Sequence, residues 1–337
     1  MRRKLLPLLL VLLAAGAGYA VYWQSKAQKV EEAAQDAARM LDGQGIDSDF
    51  DWRDATGFPY RLQMSSDGAA LAGEVWPVDW RLQANSLDLF AQPWTQDHVV
   101  ALISGLEIHL GRWRLNAAEP QVSWLRDGAG LRLDADLGDS TLQTGDGADS
   151  RIRVGRLQLH LRHRDDKTSS GDGLHPGGRW QMALSARDVA PDAAIAELPP
   201  SGITRLMLDM SVYGPLNAPF ARADIEAWRD AGGIVEIDSF TLSADGLSVT
   251  GSGSLTLDED ARPMGALTLS TAAPQRLIAL LARLGAISPE AQPLARQAVQ
   301  AAVAAAGKGE TIDLPLTLQD GKFQLAGLDL NMIAPLD

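Results

Sequence analysis

The sequence of 337 residues contains no cysteine. This absence excludes disulfide scaffolds, zinc sites with thiolate ligands, iron–sulfur clusters, thiol nucleophiles and a lipid-modified N-terminal cysteine. A chain of this length buries a core large enough to fold without such cross-links. Its hydrophobic content of 46% is that of a globular protein, which excludes a disordered or fibrous chain.

The motifs of several common enzyme classes are also missing. The chain has no Gly-x-Ser-x-Gly elbow, Walker loop, His-Glu-x-x-His or Ser-x-x-Lys. His160 and His163 face opposite sides of a predicted strand, so they are poorly placed to share a metal ion. Asp47, Asp49 and Asp51 lack the glycine and closing glutamate of an EF-hand, which favours a solvated strand face. We therefore predict a protein that is not an enzyme and has no cofactor or metal; a hydrolase with carboxylates outside any motif is an alternative.

Positive charge is scarce beyond the first residues. The formal net charge is −13, and Arg2, Arg3 and Lys4 are the only charged side chains among the first 23 residues. The rest of the chain is therefore more acidic than the whole, and nucleic acid and anionic lipid surfaces should repel it. We predict no nucleic-acid partner.

Residues 5–23 form an apolar run without a charged side chain. Nineteen helical residues just span the hydrocarbon core of a bilayer. Because the basic residues 1–4 precede the run, we predict a single-pass inner-membrane anchor with a cytoplasmic N-terminus and a periplasmic body. An aromatic belt at the far side of the membrane is expected at Tyr19, Tyr22 and Trp23. The alternative is a signal peptide cleaved near Ala15-Gly16-Ala17, which would leave a soluble periplasmic protein.

After this run the pattern changes from helix to strand. Residues 24–45 predict a helical stalk that ends at Asp42-Gly43. From residue 46 onward, apolar residues alternate with polar ones, as in antiparallel strands that have one dry face. Asp-Gly pairs between such segments predict consecutive hairpins, because a tight primed turn needs positive φ angles. These pairs lie at residues 67–68, 127–128, 146–147, 172–173, 245–246 and 320–321.

The predicted fold is mainly β with a helical pair near the C-terminus, in the α+β class. It is a large curved antiparallel meander sheet, either an open groove or a flattened barrel. Inside the β region, only residues 192–197 show helical character. The predicted order is a first β half (46–163), a polar Gly/Ser-rich loop (164–179), a second β half (180–273), a helical pair (274–306) and a C-terminal hairpin (307–337).

The segment Gly57-Phe58-Pro59-Tyr60-Arg61 resembles a Gly-aromatic-Pro-aromatic-Arg motif of a family of bacterial envelope proteins, a domain of unknown function. Segments 92–100, 251–269 and 314–321 are similar to the same family. The resemblance implies a short membrane segment before a β-rich periplasmic body, and it supplies no catalytic residues. In the pattern of its strands the chain is also similar to AsmA-like envelope proteins, which carry long curved sheets and are linked to phospholipid traffic. This similarity is an analogy at the level of the fold.

The same motif has two interpretations. Pro59 cannot donate to a strand ladder, so the segment is either a structural corner or a contact for a ligand or partner. Tryptophans crowd the first half of the chain, and we expect most of them in the core and some along a lipid-facing groove. The candidate contact residues are Phe58, Tyr60, Arg61, Trp76, Trp80 and Trp94.

Taken together, these patterns predict a membrane-tethered periplasmic protein that binds or passes a lipid or other hydrophobic ligand, or supports envelope integrity. An apolar sheet face must be covered by a second sheet, a helix or a ligand, and the helices of residues 274–306 are too short to cover so long a sheet. The alternative is a structural or assembly partner of other envelope proteins, since exposed strand edges suit β-augmentation.

Overall fold

The computed structural model describes residues 2–75, 77–127, 130–145, 151–164, 179–191, 202–216, 221–306, 311–325 and 327–332. Most of these residues belong to the strands of one large antiparallel sheet. The predictions of a mainly β protein and of a helical pair near the C-terminus are confirmed.

The helices are α1 (Arg2–Gly43), α2 (Arg222–Asp230), α3 (Pro274–Arg283) and α4 (Gln292–Ala306). The strands of the first part are β1 (Asp47–Trp52), β2 (Leu62–Val75), β3 (Val78–Ala84), β4 (Ser86–Gln92), β5 (Thr95–Ser104), β6 (Leu106–Leu110), β7 (Trp113–Ala117), β8 (Gln121–Asp127) and β9 (Gly130–Thr144). Those of the second part are β10 (Arg151–Arg164), β11 (Arg179–Pro191), β12 (Ile203–Tyr213), β13 (Ile234–Ala244), β14 (Leu247–Leu257), β15 (Pro263–Thr271), β16 (Ile312–Gln319), β17 (Lys322–Leu325) and β18 (Leu328–Met332).

The strands follow one another across the sheet in chain order, as a meander. In three places two short strands take the position of one long strand. β3 pairs with β6 and β4 with β5; on the other side, β6 pairs with β7 and β5 with β8. β2 and β9 are each long enough to pair with two of the short strands. The two predicted β halves form one sheet, because Arg164 of β10 pairs with Arg179 of β11. Within the described residues no strand pair joins β1 to β18, which favours the open alternative.

Two Asp-Gly pairs form the tight turns that were expected. Asp245-Gly246 joins β13 to β14 and Asp320-Gly321 joins β16 to β17, and all four residues have positive φ angles. The prediction was wrong for Asp67-Gly68, which lies inside β2 where that strand changes partner from β4 to β3. The pair at 127–128 falls at the end of β8 and reaches beyond the described residues, and those at 146–147 and 172–173 lie outside them.

A row of irregular residues crosses the sheet from β2 to β11. Gly68 lies level with Asn85 between β3 and β4, and the row continues through Gly105 and Gly155 to Asp188. The φ angle is positive at Gly68, Gly105 and Asp188. Bulges bend a strand and increase its twist, so we expect the sheet to curve along this row.

The largest core lies between the helical pair and strands β14–β18. α3 and α4 pack on these strands with Leu277, Ile278, Val299, Leu314 and Leu316 among the buried residues. Two leucines that follow the apolar spacing of the helical pair, Leu284 and Leu294, are exposed. Helix α3 ends before Leu284. The inner side of α4 consists of residues spaced four apart, and this spacing leaves Leu294 on the outside.

Helix α2 is the element that the alternation failed to predict, since the region was expected to be strand. It has nine residues, too few for a clear helical period. Its position is set by Trp228, which is buried and donates its indole N–H to the carbonyl oxygen of Tyr213 at 2.7 Å. The carboxylate of Asp224 accepts from the N–H of Ala221 at 2.9 Å and caps the helix. The helical stretch expected at residues 192–197 lies outside the described residues.

Helix α1 is one continuous helix and ends at Gly43. In the part of the chain that the structure describes, no helix combines the length and the apolarity needed to cross a membrane.

Candidate functional site

One face of the sheet, here called the inner face, carries two rows of apolar side chains from β2 to β13. Within a row each residue is the register partner of the next, so the side chains lie side by side. Each row crosses nine strands and, at about 4.8 Å per strand, is about 38 Å long. The first row is Leu62, Ala91, Val99, Trp124, Leu133, Leu161, Met182, Met210 and Ile237; the second is Met64, Leu89, Ala101, Val122, Ala135, Leu159, Leu184, Leu208 and Phe240.

Protein covers this face at its two ends. Trp23 of α1 packs on Leu62 at the β2 end, and α3 and α4 cover β14–β16, with Phe240 at the margin of their core. Between these ends most of the side chains are half-buried and belong to none of the core clusters of the described residues. They include Leu133, Leu161, Met182, Leu184, Leu208 and Met210. The middle of the inner face is therefore apolar surface without a protein cover in the described part of the chain.

The outer face of the same strands is polar and its charges are paired. Asp134 lies 2.6 Å from His160 Nδ1 and 2.9 Å from Arg132 Nε, and Asp136 pairs with Arg156. Partial burial raises the pKa of Asp134, but the hydrogen bonds from His160 and Arg132 outweigh it and hold that pKa below its ordinary value. The hydrogen bond from Arg156 likewise lowers the pKa of Asp136. A hydrophobic ligand on this face would remove water from charged groups at a cost in free energy, so this face does not favour such a ligand.

A cleft of about 860 Å³ lies along the irregular row. Its lining mixes polar residues, among them Asn85, Glu107 and Arg153, with apolar ones such as Leu106 and Val154. Glu107 contacts His109 and lies 3.3 Å from the guanidinium of Arg114, so its charge is already compensated. Among the described residues, no cluster of three or more histidine, aspartate or glutamate side chains could hold a metal ion. Of the two surfaces, the inner face has the more uniform chemistry.

The segment Gly57–Arg61 forms a seat for α1. The Tyr19 hydroxyl donates to the Pro59 carbonyl oxygen at 2.5 Å, and the Trp23 indole N–H donates to the Arg61 carbonyl oxygen at 3.1 Å. The rings of Trp23 and Phe58 meet edge to face with 5.6 Å between centroids. These contacts fix one helix against the first strands of the sheet.

Glycine is required at position 57 by the geometry of this seat. Its φ angle is +101°, and a Cβ atom there would lie 2.6 Å from Arg61 Cγ and 2.8 Å from the Arg61 carbonyl oxygen. That carbonyl oxygen accepts the hydrogen bond from Trp23, so any shift made to relieve the clash disturbs the seat.

The sequence profile of one protein family, described as "uncharacterized protein conserved in bacteria (DUF2125)", matches residues 23–334. The chain belongs to this family. The expected membership of a bacterial domain of unknown function is confirmed, whereas the similarity to AsmA-like proteins stays a prediction. No curated protein sequence and no solved structure matches the chain. The DUF2125 match begins at Trp23, the residue where α1 becomes buried against the sheet.

The structure brings four of the six candidate contact residues of this DUF2125 chain to one end of the sheet. Phe58 and Tyr60 are exposed in the seat segment, and Trp94 is exposed in the turn between β4 and β5. The Arg61 guanidinium lies over the ring of Phe90 at 5.4 Å.

Trp80 is half-buried near the opposite end of the sheet, where its ring lies against Gly73. Trp76 lies outside the described residues. Trp80 therefore does not extend the group of exposed aromatic residues beside α1.

The role of Trp23 differs from the one predicted from the sequence. It was expected in an aromatic belt together with Tyr19 and Tyr22, but it is 6% exposed and packs on Leu62. Tyr22 donates its hydroxyl to the carbonyl oxygen of Pro93 at 3.0 Å. The four-residue spacing of Tyr19 and Trp23 places both on one side of a helix and is the signal for a docked helix face.

Proposed function

We propose that this protein is a membrane-tethered, non-enzymatic periplasmic protein that binds lipid acyl chains on the inner face of its sheet. The observation that carries the proposal is the pair of apolar rows, which continue across nine strands while helices cover only their ends. An apolar sheet face needs a cover, and a flexible hydrocarbon chain fits a long shallow surface of leucine and methionine.

The size of the uncovered surface is adequate for binding. Completing the burial of a half-buried leucine or methionine is worth roughly 0.5 to 1 kcal/mol. The six such residues between β9 and β12 would together supply roughly 3 to 6 kcal/mol, which on its own corresponds to a Kd between about 6 mM and about 40 μM. Additional contacts along the rows would tighten this further.

The tether is proposed from α1. Residues 10–13 are Leu, Val, Leu and Leu, and their side chains are exposed along the helix. Contiguous exposed apolar side chains mark an interaction site, and a bilayer is the cover that suits an apolar helix. The acidic body would then stand on the periplasmic side, opposite the basic residues at the N-terminus.

Photo-crosslinking in the membrane of living cells tests the proposed ligand. A benzophenone amino acid at Met182 faces the inner face, while the same group at Gln181 faces the polar side of the same strand. The proposal expects lipid-mass adducts at position 182 and none at 181. Adducts of protein mass at position 182 would favour the alternative, an assembly partner of other envelope proteins. Equal lipid labelling at both positions would contradict the proposal.

A further inference from the structure

The two ends of the sheet differ in what they expose. β2 begins beside the seat segment at Leu62, which pairs with Ala91, so the turn after β4 lies at the same end. We call this the seat end. β2 finishes at Val75, and the turn between β6 and β7 after Leu110 lies at that opposite end, called here the far end.

At the seat end, three aromatic side chains are largely exposed to solvent. Tyr60 is 78% exposed, Trp94 is 59% exposed and Phe58 is 53% exposed. They belong to two separate segments that both contact α1, through Pro59 and Pro93. The exposed rings therefore surround the place where the helix leaves the sheet.

The direction of α1 places its apolar part beyond the seat end. Tyr19 is fixed at Pro59, whereas Ala38 and Asp42 share a cleft with Ala72 toward the far end. The chain before Tyr19 consequently extends away from the sheet, past the exposed rings.

The free length of this helix is too short for a membrane on its own. With Tyr19 held by the sheet, the apolar residues left are 5–18, fourteen residues with a length of about 21 Å. The hydrocarbon core of a bilayer is about 30 Å thick. The free helix is therefore about 9 Å shorter than the core. A short span thins the bilayer locally and draws its flanking residues to the lipid, so the seat end of the sheet would be held against the membrane interface.

We infer that Phe58, Tyr60 and Trp94 insert into the lipid interface and seat the body directly on the membrane. Tyrosine and tryptophan favour this layer because their rings are apolar and their polar groups remain hydrated. The acidic body gains nothing from anionic lipid, so the aromatic rings rather than charge would hold it there. The inference rests on the tether in the proposed function, and it would place one end of the inner face next to the bilayer.

Single-cysteine labelling of the full chain tests this inference, because the chain has no cysteine of its own. Tyr60→Cys, Trp94→Cys and, as the matched control, Leu110→Cys each receive an environment-sensitive nitrobenzoxadiazole dye. Leu110 is an apolar residue at the far end and is 46% exposed. The proteins are placed in phosphatidylcholine vesicles that contain a spin-labelled phosphatidylcholine as quencher.

The inference expects a blue shift and strong quenching of the dye at positions 60 and 94, and neither at position 110. A dye at positions 60 and 94 that stays as water-exposed as at 110 would overturn it, as would equal quenching at all three positions. Lipid crosslinks at Met182 do not depend on this result. An unquenched seat end with lipid adducts at Met182 would therefore reject the inference alone and leave the lipid-binding proposal in place.

Discussion

Removal of the Trp23 side chain should release α1 from the sheet. Trp23 is buried, packs on Leu62 and Phe58, and donates one hydrogen bond to the Arg61 carbonyl oxygen. Truncation of a buried tryptophan to alanine costs about 3 to 5 kcal/mol. Because 1.4 kcal/mol is about a factor of ten, the fraction of molecules with an undocked helix should rise by roughly two to three and a half powers of ten.

Limited trypsin digestion measures this fraction at Lys29, an exposed residue in the docked part of α1. When opening and closing are fast, the cleavage rate follows the population of the open form. Trp23→Ala should therefore be cleaved there far faster than the wild type, whereas Gln24→Ala, an exposed neighbour, should not. If the two variants are cleaved at the same rate, the seat does not hold the helix and our account of Gly57–Arg61 is wrong.

Three further outcomes are expected in chemical denaturation of the full chain. Gly57→Ala should lower the unfolding free energy by more than Gly45→Ala; both have positive φ, costing about 1–2 kcal/mol, but only position 57 adds a clash. Ile278→Ala should cost about 2–5 kcal/mol, while the exposed Leu284→Ala stays within about 0.5 kcal/mol. Because the pKa of Asp136 is lowered in the folded protein, its charged form stabilises the fold above the ordinary aspartate pKa, and this stability is lost as the pH falls through the lowered pKa of the folded state. In Asp136→Asn the denaturant midpoint should therefore decrease less on acidification than in the wild type.

The strands and the helical pair were predictable because each is encoded locally. Alternation identifies a strand with one buried face, and Asp245-Gly246 and Asp320-Gly321 have the φ angles that a tight turn requires. The same dipeptide failed at Asp67-Gly68, where a bulge also uses the positive φ of glycine. Local sequence does not distinguish the two, since the difference depends on which strands pair on either side.

The docking of α1 and the uncovered inner face depend on contacts between distant parts of the chain. Trp23 and Arg61 are 38 residues apart in the sequence, and the residue pattern within either segment does not predict their hydrogen bond. The alternation showed that an apolar face exists, but which part of it the helices leave open follows from the register and from the length of α3 and α4. Met182 and Phe240 have similar patterns in sequence, yet only Phe240 packs against the C-terminal core.

Native mass spectrometry of the full chain released from detergent tests the central claim most directly. Leu184→Glu places a charge in the uncovered middle of the inner face, and Ser185→Glu places the same charge one residue away on the polar face. Our account predicts that the wild type and Ser185→Glu carry a stoichiometric co-purified lipid and that Leu184→Glu, with an unchanged circular dichroism spectrum, does not. A wild-type chain that remains free of lipid, or a lipid retained equally by both variants, would contradict it.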